Sequence, residues 1–202
     1  MSDNASEHTP QLRMLRPSLH NLPPLDSLAG YVLRHYRPGD EAGLTETLKD
    51  AFEQDSMAFQ WAVLENRGFM PERSWLIQRD DGLIVASASM LMDPDSPAAR
   101  QAGTAFLHWV AARKCEAGKK LGYWVCLAVL HRMLSEGFRR AGLGTDDGRF
   151  TAIKTYLNLG FEPRVIHDSH RARWRKTFED LGMTDEAELR FAHLLTGALH
   201  EF

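Results

Sequence analysis

The chain has 202 residues, 44% hydrophobic and 25% charged, with 24 Lys and Arg against 27 Asp and Glu for a formal charge of −3. That balance fits one water-soluble globular domain, large enough to bury most of its unfolded surface without a disulfide or metal staple. It argues against a nucleic-acid coat, and the two cysteines, Cys115 and Cys126, are too few for a disulfide framework. Neither lies in a Cys-x-x-Cys pair and no histidine cluster has ligand spacing, so no metal is expected. Two such thiols fit a reducing, cytoplasmic compartment. The polar stretch at the start of the chain lacks an apolar signal core. The longest apolar run, Tyr123 to Leu130, falls far short of the ~20 residues of a membrane span, so no membrane partner is expected.

Taken in chain order, residues 1–29 are polar and then broken by Pro17, Pro23 and Pro24, without helical or strand period. They read as an N-terminal arm. Tyr31 to Tyr36 alternates like a strand and stops at Pro38 and Gly39. Asp40 is placed to cap a helix carrying Leu44, Leu48, Ala51 and Phe52. A second helix is predicted over Met57 to Glu65. Ser74–Gln78 and Leu83–Met92 flank Asp80-Asp81-Gly82, the signal of a β-hairpin. Asp93 to Pro97 reads as a loop and Thr104 to Val110 as a further strand. Leu121 to Ser135 is apolar on nearly every side, a buried helix stopped at Gly137. Ala141–Gly144 is a short strand, Phe150–Leu159 a helix and Arg164–His167 a last strand. Two helices follow, at Arg171–Asp180 and Asp185–Leu199, the second capped by Thr184. The order predicts an α/β mixed sheet with helices on its faces.

The strand through His108-Trp109-Val110-Ala111-Ala112 runs through Arg113 to Lys120 into the helix opened by Leu121-Gly122. Backbone N–H groups and the positive end of the helix dipole make such a junction a phosphate or diphosphate site, to which Lys119 and Lys120 add charge; a surface loop with solvated lysines has the same spacing.

Further on, Ala152-Ile153, Tyr156, Gly160-Phe161 and Pro163 resemble the downstream motif of the GNAT family of acetyl-CoA-dependent N-acyltransferases. Leu107, Val110, Gly118, Leu121 and Gly122 look like its acyl-CoA loop, and Arg34 to Asp40 like its first strand and turn. The resemblance covers about residues 31–166. It implies a GNAT-like fold over residues 30–168, splayed between Thr104–Val110 and Ala141–Gly144, with a C-terminal helical extension at 169–202. It further implies acetyl-CoA as cosubstrate, its pantetheine on Val110, Ala111 and Ala112 and its diphosphate on Gly118, Lys119, Lys120, Leu121 and Gly122. Tyr156 would serve the departing sulfur as acid. Three positions depart from the family pattern. Ala117 stands for its Arg or Gln, Lys120 for its middle Gly, and Arg149 for its frequent Asn; Arg149 joins the expected cofactor-binding set. These departures motivate the alternative of a catalytically silent binding or regulatory protein on the same fold.

His108 is the favoured general base by position, ahead of the loop charges Glu116, Asp146 and Asp147. Cys115 has no base at fixed spacing and reads as a bystander thiol, and Cys126 as core. In His170 to Lys176, Trp174 and Phe178 fall on one helix face, which points to a docked amphipathic helix in preference to a nucleic-acid grip. Leu189, Ala192, Leu195 and Leu199 form an apolar stripe for the domain or for a second subunit of a homodimer. The acceptor is a small-molecule or peptide amine that no residue pattern identifies.

Overall fold

Seven strands join in one mixed sheet in the computed structural model, which describes residues 9–92 and 103–200. The strands are β1 (Leu12–Arg16), β2 (Tyr31–His35), β3 (Ser74–Arg79), β4 (Ile84–Leu91), β5 (Thr104–Ala112), β6 (Arg140–Thr145) and β7 (Glu162–Arg164). The helices are α1 (Glu41–Phe52), α2 (Leu121–Ser135), α3 (Phe150–Asn158), α4 (Ser169–Asp180) and α5 (Thr184–Thr196). The sheet order is β2-β3-β4-β5-β6-β1-β7, antiparallel throughout except for the parallel pair β5–β6. The loop expected at Asp93–Pro97 lies outside the described residues.

Burial explains the layering. Every residue of β4 is buried, because both its faces are covered. Leu44 and Leu48 of α1 pack with Leu76, Ile84 and Ala111 on one side. Val125, Leu127, Val129 and Met133 of α2 pack with Val85, Ala86 and Met90 in the main cluster. The Asp-Gly hairpin forms as predicted, with Gly82 at φ +91°, a left-handed turn conformation that costs glycine little.

Residues 1–29 were expected to hold no strand, and here the structure corrects the sequence. Leu12–Arg16 is inserted between β6 and β7, with Leu12 opposite Thr145 and Leu15 opposite both Gly142 and Glu162. Only Leu12 and Met14 of the strand are fully buried, so two core positions either side of Arg13 gave too short an alternation to read. At roughly 1.5–3 kcal/mol for each buried side chain, that pair is still enough to seat the strand.

Other differences are smaller. The helix expected at Met57–Glu65 shrinks to a π-helical stretch at Gln60–Leu64. Asp40 makes no side-chain cap; its carboxylate instead accepts from Arg34 at 2.7 and 2.8 Å and from the Arg37 N–H. Thr184 is the first residue of α5 and not its cap. The last strand was expected at Arg164–His167 but lies at Glu162–Arg164, sharing only Arg164 with that span. Trp174 and Phe178 dock as expected, Phe178 stacking on Phe191 of α5 with centroids 5.7 Å apart. The stripe on α5 is shifted: Ala187, Phe191 and Leu195 are buried, whereas Leu189 is 88% exposed. Both α4 and α5 belong to the main core cluster. Among the described residues no helix is long and apolar enough to cross a membrane.

Candidate active site

β5 and β6 pair from Thr104 opposite Arg140 to Leu107 opposite Leu143, and the pairing ends there although both strands continue. On its other edge β5 bulges. His108 faces Ser89 and Ala111 faces Ser87, so Trp109 and Val110 together oppose Ala88, with Trp109 left-handed at φ +51°. A bulge bends its strand and sharpens its twist, and the opening between β5 and β6 lies at this level. A crevice of about 720 Å³ runs through it.

Of the residues expected to hold the cosubstrate, Val110, Ala112, Gly118, Lys120, Leu121, Gly122 and Arg149 line this crevice, as does Tyr156. Ala111 and Lys119 do not. The Ala111 side chain points into the core beneath α1. Lys119 spends its ammonium on Glu116 Oε2 at 2.6 Å and the Tyr31 hydroxyl oxygen at 2.9 Å, and its N–H on the Glu116 carbonyl.

Glu116 therefore differs from the solvated loop charge the sequence suggested. It is 4% exposed and accepts from Lys119, from the Tyr31 hydroxyl at 2.6 Å and from Arg79 at 2.8 Å. These hydrogen bonds, Lys119 first and Tyr31 next, pull its carboxyl down to about 2. Two basic side chains and a phenol thus pin the loop just before its glycine. The sequence signal was faint, since Tyr31, Arg79 and Glu116 are far apart in the chain.

Past that anchor, the loop turns through Gly118 at φ +83° and Lys120 at φ +58°, both left-handed. The Tyr123 and Trp124 N–H groups close on the Lys120 carbonyl. The N–H groups of Gly118, Lys120, Leu121 and Gly122 have no main-chain partner among the described residues. Together with the positive end of α2 they make a cradle for an anion. A side chain at Gly118 or Gly122 would project into open space, with no described residue within 4 Å of its Cβ.

Tyr156 on α3 also lines the crevice, 4% exposed, its ring against Phe161. Burial, followed by the neighbouring Cys126 thiol, pushes its hydroxyl well above the usual phenol range, so it stays protonated at neutral pH. Arg149 precedes α3, donates to the Val110 carbonyl at 3.3 Å and stacks over the Phe52 ring at 4.1 Å. His108 is not brought to the crevice wall. Its side chain is exposed at the surface, yet desolvation by the surrounding sheet and then the charge of Arg13 push its pKa down to about 4. Asp146 lines the crevice with Gln11 as its donor, and Asp147 pairs with Arg173 at 2.9 Å. Cys115 is exposed; Cys126 is buried and its thiol pushed up by that burial.

Sequence reasoning missed an aromatic wall beside the bulge. Phe52 meets Trp109 edge-on at 5.7 Å, and Trp109 meets Trp61 at 5.5 Å, with Trp61 46% exposed. Phe52 was legible as a core residue of α1. Its partners depended on the left-handed turn at Trp109, which no local pattern announces.

Comparison with known proteins agrees with this geometry. The model of the acetyltransferase (GNAT) family matches residues 41–161. A GCN5-related N-acetyltransferase from Sphaerobacter thermophilus superposes with a TM-score of 0.61 at 21% identity, over 77% of this chain and 50% of that one. An acetyltransferase of the GNAT family from Novosphingobium aromaticivorans gives 0.55 at 20% identity, over 77% and 60%. The ribosomal-protein-S18-alanine N-acetyltransferase of Escherichia coli gives 0.53 at 16% identity, over 68% and 83%. The chain thus spans only 50% to 60% of the length of the first two. No curated protein matches it. β1, α4 and α5 lie outside the span matched by the family model.

Proposed function

The chain belongs to the GNAT acetyltransferase family, and from that premise we propose that it transfers an acyl group from a coenzyme A thioester, acetyl-CoA in the simplest case, to a primary amine. The observation that carries this reading is the pairing of two features in one crevice. N–H groups without a main-chain partner among the described residues stand at the start of α2, and a buried, protonated Tyr156 lines the same crevice.

The residues fit the cosubstrate. The N–H groups of Gly118, Lys120, Leu121 and Gly122 would hold the diphosphate, with Lys120 adding charge. Val110 and Ala112 of β5 offer main chain to the pantetheine where β6 has turned away. The two partners supply the chemistry when held together: the amine nitrogen bonds to the thioester carbonyl carbon as the C–S bond breaks. Holding both in register provides most of the acceleration. Tyr156 gives its proton to the leaving sulfur and regains one from solvent. The ammonium loses its proton to water or to His108, whose imidazole is uncharged at pH 7 but a weak base at about 4.

The alternative, a silent fold, rests on Lys120 in the place of glycine and Ala117 in the place of a donor. Calorimetry with acetyl-CoA separates the two. Saturable binding and a rise in melting temperature support the transferase reading. No heat and no shift at millimolar thioester leaves the silent fold.

A further inference from the structure

We propose that Arg149 selects the acyl donor, and that the crevice suits a coenzyme A thioester whose acyl chain ends in a carboxylate, of the succinyl kind. The inference rests on the transferase reading above.

The other charged side chains of the crevice are already matched. Glu53 accepts from Lys114, Glu116 from Lys119 and Arg79, and Asp146 from Gln11. Arg113 is held by Thr47 Oγ1 at 3.2 Å and the Ile84 carbonyl at 2.9 Å. Two cations remain, Lys120 and Arg149. Lys120 belongs to the anion cradle. Arg149 lies beside Val110, next to the bulge, and close enough to Tyr156 for its charge to act on that hydroxyl. On the transferase reading, with the thioester beside Tyr156, Arg149 stands at the acyl group.

The guanidinium is held but poorly used. Its polar contact among the described residues is one bond of 3.3 Å to a carbonyl, yet it carries five N–H donors in a fork that matches a carboxylate. Phe52 beneath it is braced by Trp109, and Trp109 by Trp61, so the fork is oriented before any ligand arrives. A carboxylate a few carbons beyond the thioester carbonyl would replace that long bond with a bidentate pair. An acetyl group cannot. The reaction is otherwise unchanged: the N–C bond forms, the C–S bond breaks, and the terminal carboxylate leaves intact on the amide product.

The test is calorimetry without acceptor, comparing acetyl-CoA, butyryl-CoA and succinyl-CoA, with butyryl as the uncharged chain of equal length. Succinyl-CoA should bind about tenfold or more tighter than either. Arg149→Gln should erase that ratio, and Arg149→Lys should restore part of it. Equal affinities in the native protein would overturn the inference while leaving the transferase reading standing; they would also mean that any carboxylate partner of Arg149 comes from the acceptor. Equal weakening of all three by Arg149→Gln would overturn it too, as a grip on coenzyme A itself. Silence towards every thioester would remove both.

Discussion

Replacing Lys120 by glycine tests whether main chain or side chain holds the diphosphate. Lys120 stands at φ 58°, ψ 24°, a left-handed conformation that costs an L residue about 1–2 kcal/mol. Glycine escapes that cost but loses roughly 0.4–1 kcal/mol through its freer unfolded chain. The net gain is therefore about 0.5–1 kcal/mol, a rise in Tm of roughly 1–4 °C for a chain of this size. The exposed ammonium makes no ion pair among the described residues. A surface charge of that kind is worth roughly 0.2–1 kcal/mol, so acetyl-CoA should bind within about fivefold of the native affinity. Scanning calorimetry gives the first quantity and titration at low and physiological salt the second. A lower Tm, or affinity reduced more than about tenfold, would refute a cradle made of backbone N–H groups.

Tyr156→Phe should cut turnover about 100-fold or more and leave coenzyme A affinity and Tm nearly unchanged, since no protein partner of its hydroxyl is seen among the described residues; equal turnover would remove Tyr156 from proton transfer. Glu116→Gln should lower Tm at neutral pH. The sign follows from the carboxyl lying near 2 in the fold against an ordinary 4.5. Its contribution is complete above about pH 4.5 and disappears as pH falls towards 2, so the two melting curves should converge in acid; a constant gap would show that the charge is not what holds the loop.

What could be read from the sequence was whatever local periodicity or turn chemistry encodes. The Asp-Gly hairpin, the all-apolar helix from Leu121 and the Trp174–Phe178 face depend on neighbours in the chain, and each formed. Val110, Gly118, Leu121, Gly122 and Tyr156, which the family resemblance singled out from motifs close in the chain, all line one crevice. Glu116 escaped because its partners Tyr31 and Arg79 lie 85 and 37 residues away. Its burial is a product of tertiary packing alone. Lys119 was misjudged for the same reason: a lysine beside a candidate diphosphate loop looks free until the buried carboxylate that binds it is known. β1 escaped because pairing on both edges stabilises a strand whose own alternation is too brief to notice.

That strand has consequences beyond stability. By filling the place between β6 and β7, β1 sets Arg13 opposite Gly144, and a side chain at 144 would come within 2.7 Å of Arg13 Nη1. The missing Cβ lets the guanidinium lie over β6, on the side of the opening where β5 carries His108. Desolvation alone would lower that imidazole's pKa; the Arg13 charge lowers it further. Both effects favour the uncharged ring at neutral pH. No imidazolium then repels an incoming ammonium, but the ring also gains little by taking its proton. On the transferase reading proposed above, an acceptor that arrives neutral or sheds its proton to water would make the pH dependence of the rate follow the amine. A segment outside the family-matched span, unread in the sequence, thus shapes the electrostatics around His108.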